Sequence, residues 1–259
     1  MKNRRLIGSF LILIAGSVAS AQDSALRADV REGKPAVPPQ SAQVLSLEAR
    51  GDISMARKMY REAAETYLEV KPPTAIILNK VGIAYHQMSD LNSAQRYYQR
   101  SIKLKPDYSE AINNLGTIYY ARKSYRRAIS TYKRALKITP DSASILSNLG
   151  TGYFARRDYK RAIECYDQAL RLDPEVFEHR STQGVLLQER SVEERAKFHY
   201  FLAKTYAKAG RDDLALTYIR KSLEEGFKER AKYMQDDEFK ELRKLPEFAD
   251  LMKLEPRVL

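Results

Sequence analysis

The sequence predicts an all-α fold: an α-solenoid of about five stacked antiparallel helix pairs, closed by a C-terminal helical cap. Three observations carry this. Residues 111–140 and 145–174 are one sequence written twice at an offset of 34, with fifteen of the thirty aligned pairs identical. Each copy holds two stretches with apolar residues at helical spacing, which predicts two amphipathic helices per unit. A hairpin of two such helices leaves an apolar face open, so the units must stack to bury it.

The shared positions show how each unit is built. They include Leu115/Leu149, Gly116/Gly150, Tyr119/Tyr153, Ala128/Ala162, Tyr132/Tyr166, Ala135/Ala169 and Pro140/Pro174. Gly116 and Gly150 fall in the middle of a first helix, where glycine costs about 1 kcal/mol against alanine. They mark places where a neighbour packs against bare backbone, and Ala128 and Ala162 allow the same on the second helix. Tyr119 and Tyr132 fill the space between helices. Pro140 and Pro174 end the second helix, because the residue before proline disfavours the α region. Period, residue type and order together resemble the tetratricopeptide repeat, with its pattern L-G-x-x-Y…A-x-x-x-[YF]-x-x-A…P.

The rest of the chain reads outward from this pair. Met1–Ala21 has a basic start (Lys2, Arg4, Arg5), an apolar run Leu6–Val18 and a small-residue site Ala19-Ser20-Ala21, the pattern of a bacterial signal peptide cleaved before Gln22. The competing reading is an uncleaved membrane anchor, but a mainly apolar run of thirteen residues falls short of the roughly 20 that span a bilayer. Residues 22–43 are polar and contain Pro35, Pro38 and Pro39, which predicts a disordered tether. The solenoid then covers 44–227, with repeats at about 44–74, 75–108, 109–142 and 143–176 and a divergent one at 191–227.

The first repeat is degenerate, as a capping repeat is expected to be: Arg50 stands for the usual leucine and Ser54 for the usual tyrosine. Residues 175–190 break the register. Ser191 and Glu194 form a capping box for the helix that follows, Gly210 makes a turn, and Gly226 ends the last long helix as a C′ residue. In this fifth repeat Ala203 replaces the glycine and Phe227 the proline. Residues 228–259 are charged, with anchors Phe239, Leu242, Leu245, Phe248 and Leu251, and are expected to cap the last open face.

No catalytic or metal-binding pattern is present. The three histidines, His86, His179 and His199, form no cluster of metal-ligand spacing, and no Walker, Rossmann or G-x-S-x-G motif occurs. No cofactor is expected, and the protein is read as non-enzymatic. Cys165, the only cysteine, has no neighbouring base in sequence to activate it and is read as a small packed residue.

The resemblance implies a binding surface instead. In that family the first helices line a concave face, with repeat positions 2, 5, 9, 12 and 13 turned into it. Carried over by position, repeat two contributes Asn79, Ile83, His86 and Gln87. Repeat three contributes Asn113, Thr117, Tyr120 and Ala121, and repeat four Ser147, Thr151, Phe154 and Ala155. Glu48 and Asp52 add acids at one end, and Lys197, Lys204 and Lys208 add bases at the other. The lysine–asparagine clamp with which some members hold a terminal carboxylate is missing. Asn114 and Asn148, at position 6, resemble an asparagine ladder that holds peptide backbone in the family, although such amides also brace adjacent helices.

A second candidate surface is the turn between paired helices. Arg122, Lys123, Arg126 and Arg127 recur as Arg156, Arg157, Lys160 and Arg161, and stacking aligns them along one edge. The formal net charge of +12 agrees with acidic partners or anionic surfaces. Few aromatic residues interleave these bases, so nucleic acid is not the expected partner. The sequence therefore predicts an exported scaffold that binds a protein or peptide partner in its groove, periplasmic or secreted, with no membrane span after cleavage. An anionic envelope polymer or lipid surface bound along the basic edge is the alternative.

Overall fold

The structure, a computed structural model, describes residues 45–178 and 191–255. The expected signal peptide and tether lie outside the described residues, as does most of the connection 175–190. The described residues contain helices and no strand. Four helix pairs follow one another: α1 (Leu47–Ala56) with α2 (Tyr60–Glu69), α3 (Ala75–Gln87) with α4 (Leu91–Leu104), α5 (Ser109–Ala121) with α6 (Tyr125–Ile138), and α7 (Ala143–Ala155) with α8 (Tyr159–Leu172). A fifth pair, α9 (Val192–Lys208) and α10 (Asp212–Glu224), precedes the short helices α11 (Lys232–Gln235) and α12 (Pro246–Leu251). This is the expected solenoid with its helical cap.

One contact builds each of the first four pairs. Gly51, Gly82, Gly116 and Gly150 lie under the rings of Tyr67, Tyr98, Tyr132 and Tyr166, sixteen residues on, and a Cβ at any of them would approach its ring to 2.3–2.6 Å. All four rings are fully buried. The bare backbone is thus needed inside the pair, against its own second helix. The fifth pair solves the same problem with other residues: Ala203 supplies the Cβ, and the buried residue sixteen on is Ile219, not tyrosine.

The turns inside the pairs also repeat. Each first helix ends in a Schellman motif, in which the N–H of C″ bonds back to the carbonyl of C3; Ser124 N to Tyr119 O at 2.8 Å and Asp158 N to Tyr153 O at 3.0 Å are two instances. The motif needs a left-handed residue, and Lys58, Ser89, Lys123 and Arg157 take φ of 57–62° there. Only the fifth turn uses glycine, Gly210 at φ 69°. Ser191 caps α9 as expected, accepting from Glu194 N at 3.2 Å. Gly226, at φ 79°, ends α10 in a further Schellman motif.

The fifth pair is set differently from the others. At regular joints a first helix runs antiparallel to the second helix before it, so that Arg122 at the end of α5 meets Asn92 at the start of α4. Helix α9 instead runs beside α8 in the same direction. Lys197 near its start lies over the Tyr159 ring at 4.6 Å, and Lys208 at its end pairs with Asp167. Phe198 and Phe201 of α9 meet Phe154 edge-on at 5.3 and 5.8 Å, and Phe201 stacks on Tyr159 at 4.7 Å. The cap closes over α9 and α10, where Tyr200 stacks on Phe227 at 4.5 Å and Tyr233, Phe239, Leu242, Phe248 and Leu251 are buried.

Candidate functional site

The predicted groove residues divide into two groups. Asn79, Asn113, Asn114 and Asn148 are 1–4% exposed, and their amides are spent on one another. Asn148 Nδ2 donates to Asn113 Oδ1 at 3.0 Å, Asn113 Nδ2 to Asn114 Oδ1 at 3.5 Å, and Asn114 Nδ2 to Asn79 Oδ1 at 3.1 Å. The amides that resemble a peptide-holding ladder therefore form a buried chain through repeats two to four. Burying so many amides without mutual bonds would cost several kcal/mol, which is why they face each other.

The offset of these links is 35, one more than the repeat. Position 5 of one repeat reaches position 6 of the next. The first joint uses the same two positions as an ion pair, Glu48 to Lys80 at 2.8 Å, with Asp52 on the same ammonium at 2.7 Å. The fourth joint has no such link: Ser147 donates to its own helix at Ser144 O, 2.9 Å away, and Phe201 packs on aromatic rings. Thr117 and Thr151 are also buried and donate within their helices, to Asn114 O at 2.7 Å and Ser147 O at 2.9 Å.

The second group stays accessible. Ile83, His86, Tyr120 and Ser147 are half-buried. Burial lowers the pKa of His86, so it is neutral near pH 7. Tyr120, half-buried, and Phe154, one repeat on and only 5% exposed, line a cleft of about 700 Å³ at the turn end of repeats three to five. Its floor is aromatic: Tyr120, Tyr125, Phe154 and Tyr159. Lys123, Arg157 and Lys197 line it together with Ser191, Glu193 and Glu194 from the start of α9, so its charged lining is of mixed sign. The sequence reading found Tyr120 and Phe154 but not Tyr125 and Tyr159, although these recur with the same offset of 34. Of the lysines expected to extend the groove, Lys197 reaches the cleft. Lys204 is drawn to the cap, bonding Asp236 at 2.9 Å and Glu238 at 3.1 Å, because α9 is reversed.

The basic edge is exposed at all eight positions. Arg122 bonds Gln95 and Asn92 across the joint at 2.5 and 2.6 Å. Arg127 lies over the Tyr119 ring at 4.3 Å and Arg161 over Tyr153 at 5.5 Å. The one acid on these turns, Asp158, pairs with Arg161 at 3.2 Å. Cys165 is buried, and burial pushes its thiol up to about 11, so it carries no thiolate near neutrality. Among the described residues no group of His, Cys, Asp and Glu is placed to hold a metal ion, and no helix is long and apolar enough to cross a membrane.

Four helix pairs stacked with one recurring contact, a divergent fifth and an aromatic-lined cleft define a helical-repeat protein. Residues 116–154 match the TPR repeat, and 41–107, 143–176 and 196–225 match the tetratricopeptide repeat, together more than half of the chain. The chain belongs to the tetratricopeptide-repeat family, whose fold supports a protein-interaction scaffold. None of the curated proteins matches it. Among solved structures it is similar to MamA (22% identity, 71% of this chain and 97% of that one, TM-score 0.46). It is also similar to MamA from residue 41 onward of Desulfovibrio magneticus RS-1 (20%, 74% and 96%, 0.47). A third is YrrB, described as a TPR protein with an unusual peptide-binding site (20%, 51% and 69%, 0.44).

Proposed function

We propose that the protein is a non-enzymatic scaffold that holds a segment of a partner protein in its groove, outside the cytoplasm. The observation that carries this reading is the division of the concave positions. The asparagines at positions 5 and 6 are consumed in tying repeats two to four together, while Ile83, His86, Tyr120 and the neighbouring cleft remain open. A preformed surface of this kind binds with little ordering cost. The start of the chain, with its basic, apolar and small-residue segments, supports export.

A photo-crosslinking residue placed at His86 or Ala121, and as control at Lys137 on the outer surface, tests the groove. A partner crosslinked in the cell envelope from the first two positions and not the third is the expected result. Crosslinks from Lys137 alone overturn it. Export is read separately, as a chain beginning at Gln22 in the periplasmic or secreted fraction; a chain retaining Met1–Ala21 in the cytoplasm overturns that part. The second reading, an anionic envelope surface met by the basic edge, draws support from eight exposed cations facing a single acid.

A further inference from the structure

Two neighbouring second helices carry a surface that the groove does not use. We propose that the outer face of α4 and α6 docks on an anionic lipid membrane, with its cations on the headgroups and Leu104 and Ile138 entering between them. The inference is independent of what the groove holds.

Charge marks the surface first. Arg96, Arg100 and Lys103 are exposed on α4, and Arg126, Arg127, Lys133, Arg134 and Lys137 on α6, and neither helix contains an acid. Among the described residues none of these eight cations has a carboxylate within ion-pair distance. Their contacts are neutral. Arg100 lies over the Tyr97 ring at 5.1 Å, Arg127 over Tyr119 at 4.3 Å and Lys133 over Tyr153 at 5.7 Å. Arg96 donates to Ser93 Oγ at 2.9 Å, and Arg134 to Pro106 O at 3.0 Å. Acids border the surface: Glu65 and Glu69 on α2, Asp90 before α4, Asp107 and Asp141 beyond the two helix ends, and Glu164 on α8. Lys71, Lys105, Arg122 and Lys160 stand among them, so the wider area stays positive. On α2 and α10, toward either end of the array, acids outnumber bases, which confines the positive field to the middle.

Exposed aliphatic side chains select lipid over other polyanions. Leu104, 57% exposed, and Ile138, 38% exposed, end the same two helices and directly follow Lys103 and Lys137. A hydrated polymer offers them nothing to bury against. A lipid surface takes apolar side chains at the boundary of headgroup and acyl chain while it attracts the cations beside them. Lysine and arginine suit such a place, because their stems lie along apolar surface and their charges stay in water. Orientation agrees. The asparagine chain ties the first helices α3, α5 and α7 together on the inner side. The outer face can therefore be docked while the groove stays open.

Co-sedimentation with phosphatidylcholine vesicles, with and without phosphatidylglycerol, is the test. The whole chain and the chain beginning at Gln22 are both used, so that binding through Leu6–Val18 is read apart. The expected result is that the chain from Gln22 binds only the vesicles with phosphatidylglycerol. Raised salt and K103E/K137E each weaken this by about tenfold or more, and L104S/I138S weakens it by about threefold or more. R220E/K240E, the same charge change on α10 and the cap, stays within about twofold of the parent; circular dichroism establishes that all variants are folded. Equal loss in K103E/K137E and R220E/K240E shows a net-charge effect and overturns the site. Loss in R156E/K160E with none in K103E/K137E overturns the outer face in favour of the turn edge. Polyphosphate bound as tightly as the vesicles, with L104S/I138S like the parent, overturns the lipid in favour of a soluble polyanion. A chain from Gln22 that binds neither vesicle overturns the proposal outright and leaves the groove reading intact.

Discussion

Replacing Gly116 by alanine sets two effects of known sign against each other. In an exposed helix the change stabilises by about 1 kcal/mol, because alanine loses less backbone entropy than glycine. Here the new Cβ would lie 2.5 Å from Cε1 and 2.7 Å from Cδ1 of Tyr132, against an ordinary contact of 3.4–4 Å. The ring must retreat by about 1 Å, yet it is fully buried. Overpacking of this kind costs about 1–3 kcal/mol or more, and a ring with no room to retreat puts this site at the upper end, so the net expectation is a loss of about 2 kcal/mol. The fifth pair indicates the remedy, since there Ala203 is matched by Ile219. Y132I alone opens a void and loses about 2–4 kcal/mol, less what is recovered by removing a buried hydroxyl that has no hydrogen-bond partner. G116A/Y132I should then be more stable than the sum of the single losses by at least about 1 kcal/mol. Urea unfolding followed by circular dichroism measures the cycle. If G116A equals or exceeds the parent in stability, or if the two changes simply add, the packing argument is wrong.

Three further outcomes follow from the structure. N113A removes the acceptor of Asn148 Nδ2 and should cost about 1–3 kcal/mol, as should N148A; the double variant should lose less than the sum, and strict additivity in urea unfolding would show the link to be idle. K58G relieves a left-handed non-glycine residue at φ 61° on an exposed turn away from the cleft and should raise stability by about 0.5–1 kcal/mol, whereas a lower midpoint would argue against that turn geometry. Burial pushes the Asp52 carboxyl up, but hydrogen bonds from Lys80 and Tyr67 outweigh it and leave the pKa lowered. Its stabilisation is therefore full above the ordinary carboxylate value of about 3.9 and is lost as pH falls through the lower folded value. D52N should cost at most about 1 kcal/mol at pH 7, and the difference should vanish near pH 2; a difference that persists there would remove the ion pair from the account.

The fold was legible because its signal is duplicated. Period, glycine, tyrosine and proline each mark a physical need, and all recur at one spacing. Two features were not legible, for different reasons. The amide chain runs between position 5 and position 6, so a search at the repeat's own offset of 34 aligns like with like and misses every bonded pair at 35. The reversal of α9 has no mark in the helix itself, because Phe198 and Phe201 read equally well as core of either orientation. The candidate site shared both faults. Tyr120 and Phe154 were found by position, the asparagines were assigned to the groove although the fold buries them, and the cleft's acidic lining arises only because α9 is turned round.

The position 5 to position 6 link makes the repeats unequal as modules. Repeat two offers Asn79 forward but Lys80 backward, and repeat four offers Asn148 backward but Ser147 forward. Repeat three carries an asparagine at both, Asn113 and Asn114, so it alone among the first four can neighbour a copy of itself with the joint intact. A tandem copy of residues 109–142 would lengthen the array by one rung, the old Asn113 meeting the new Asn114, and shift the terminal cap outward unchanged. A copy of the fifth pair has no such joint to use. The grammar of the array therefore permits growth in its middle and forbids it at its end.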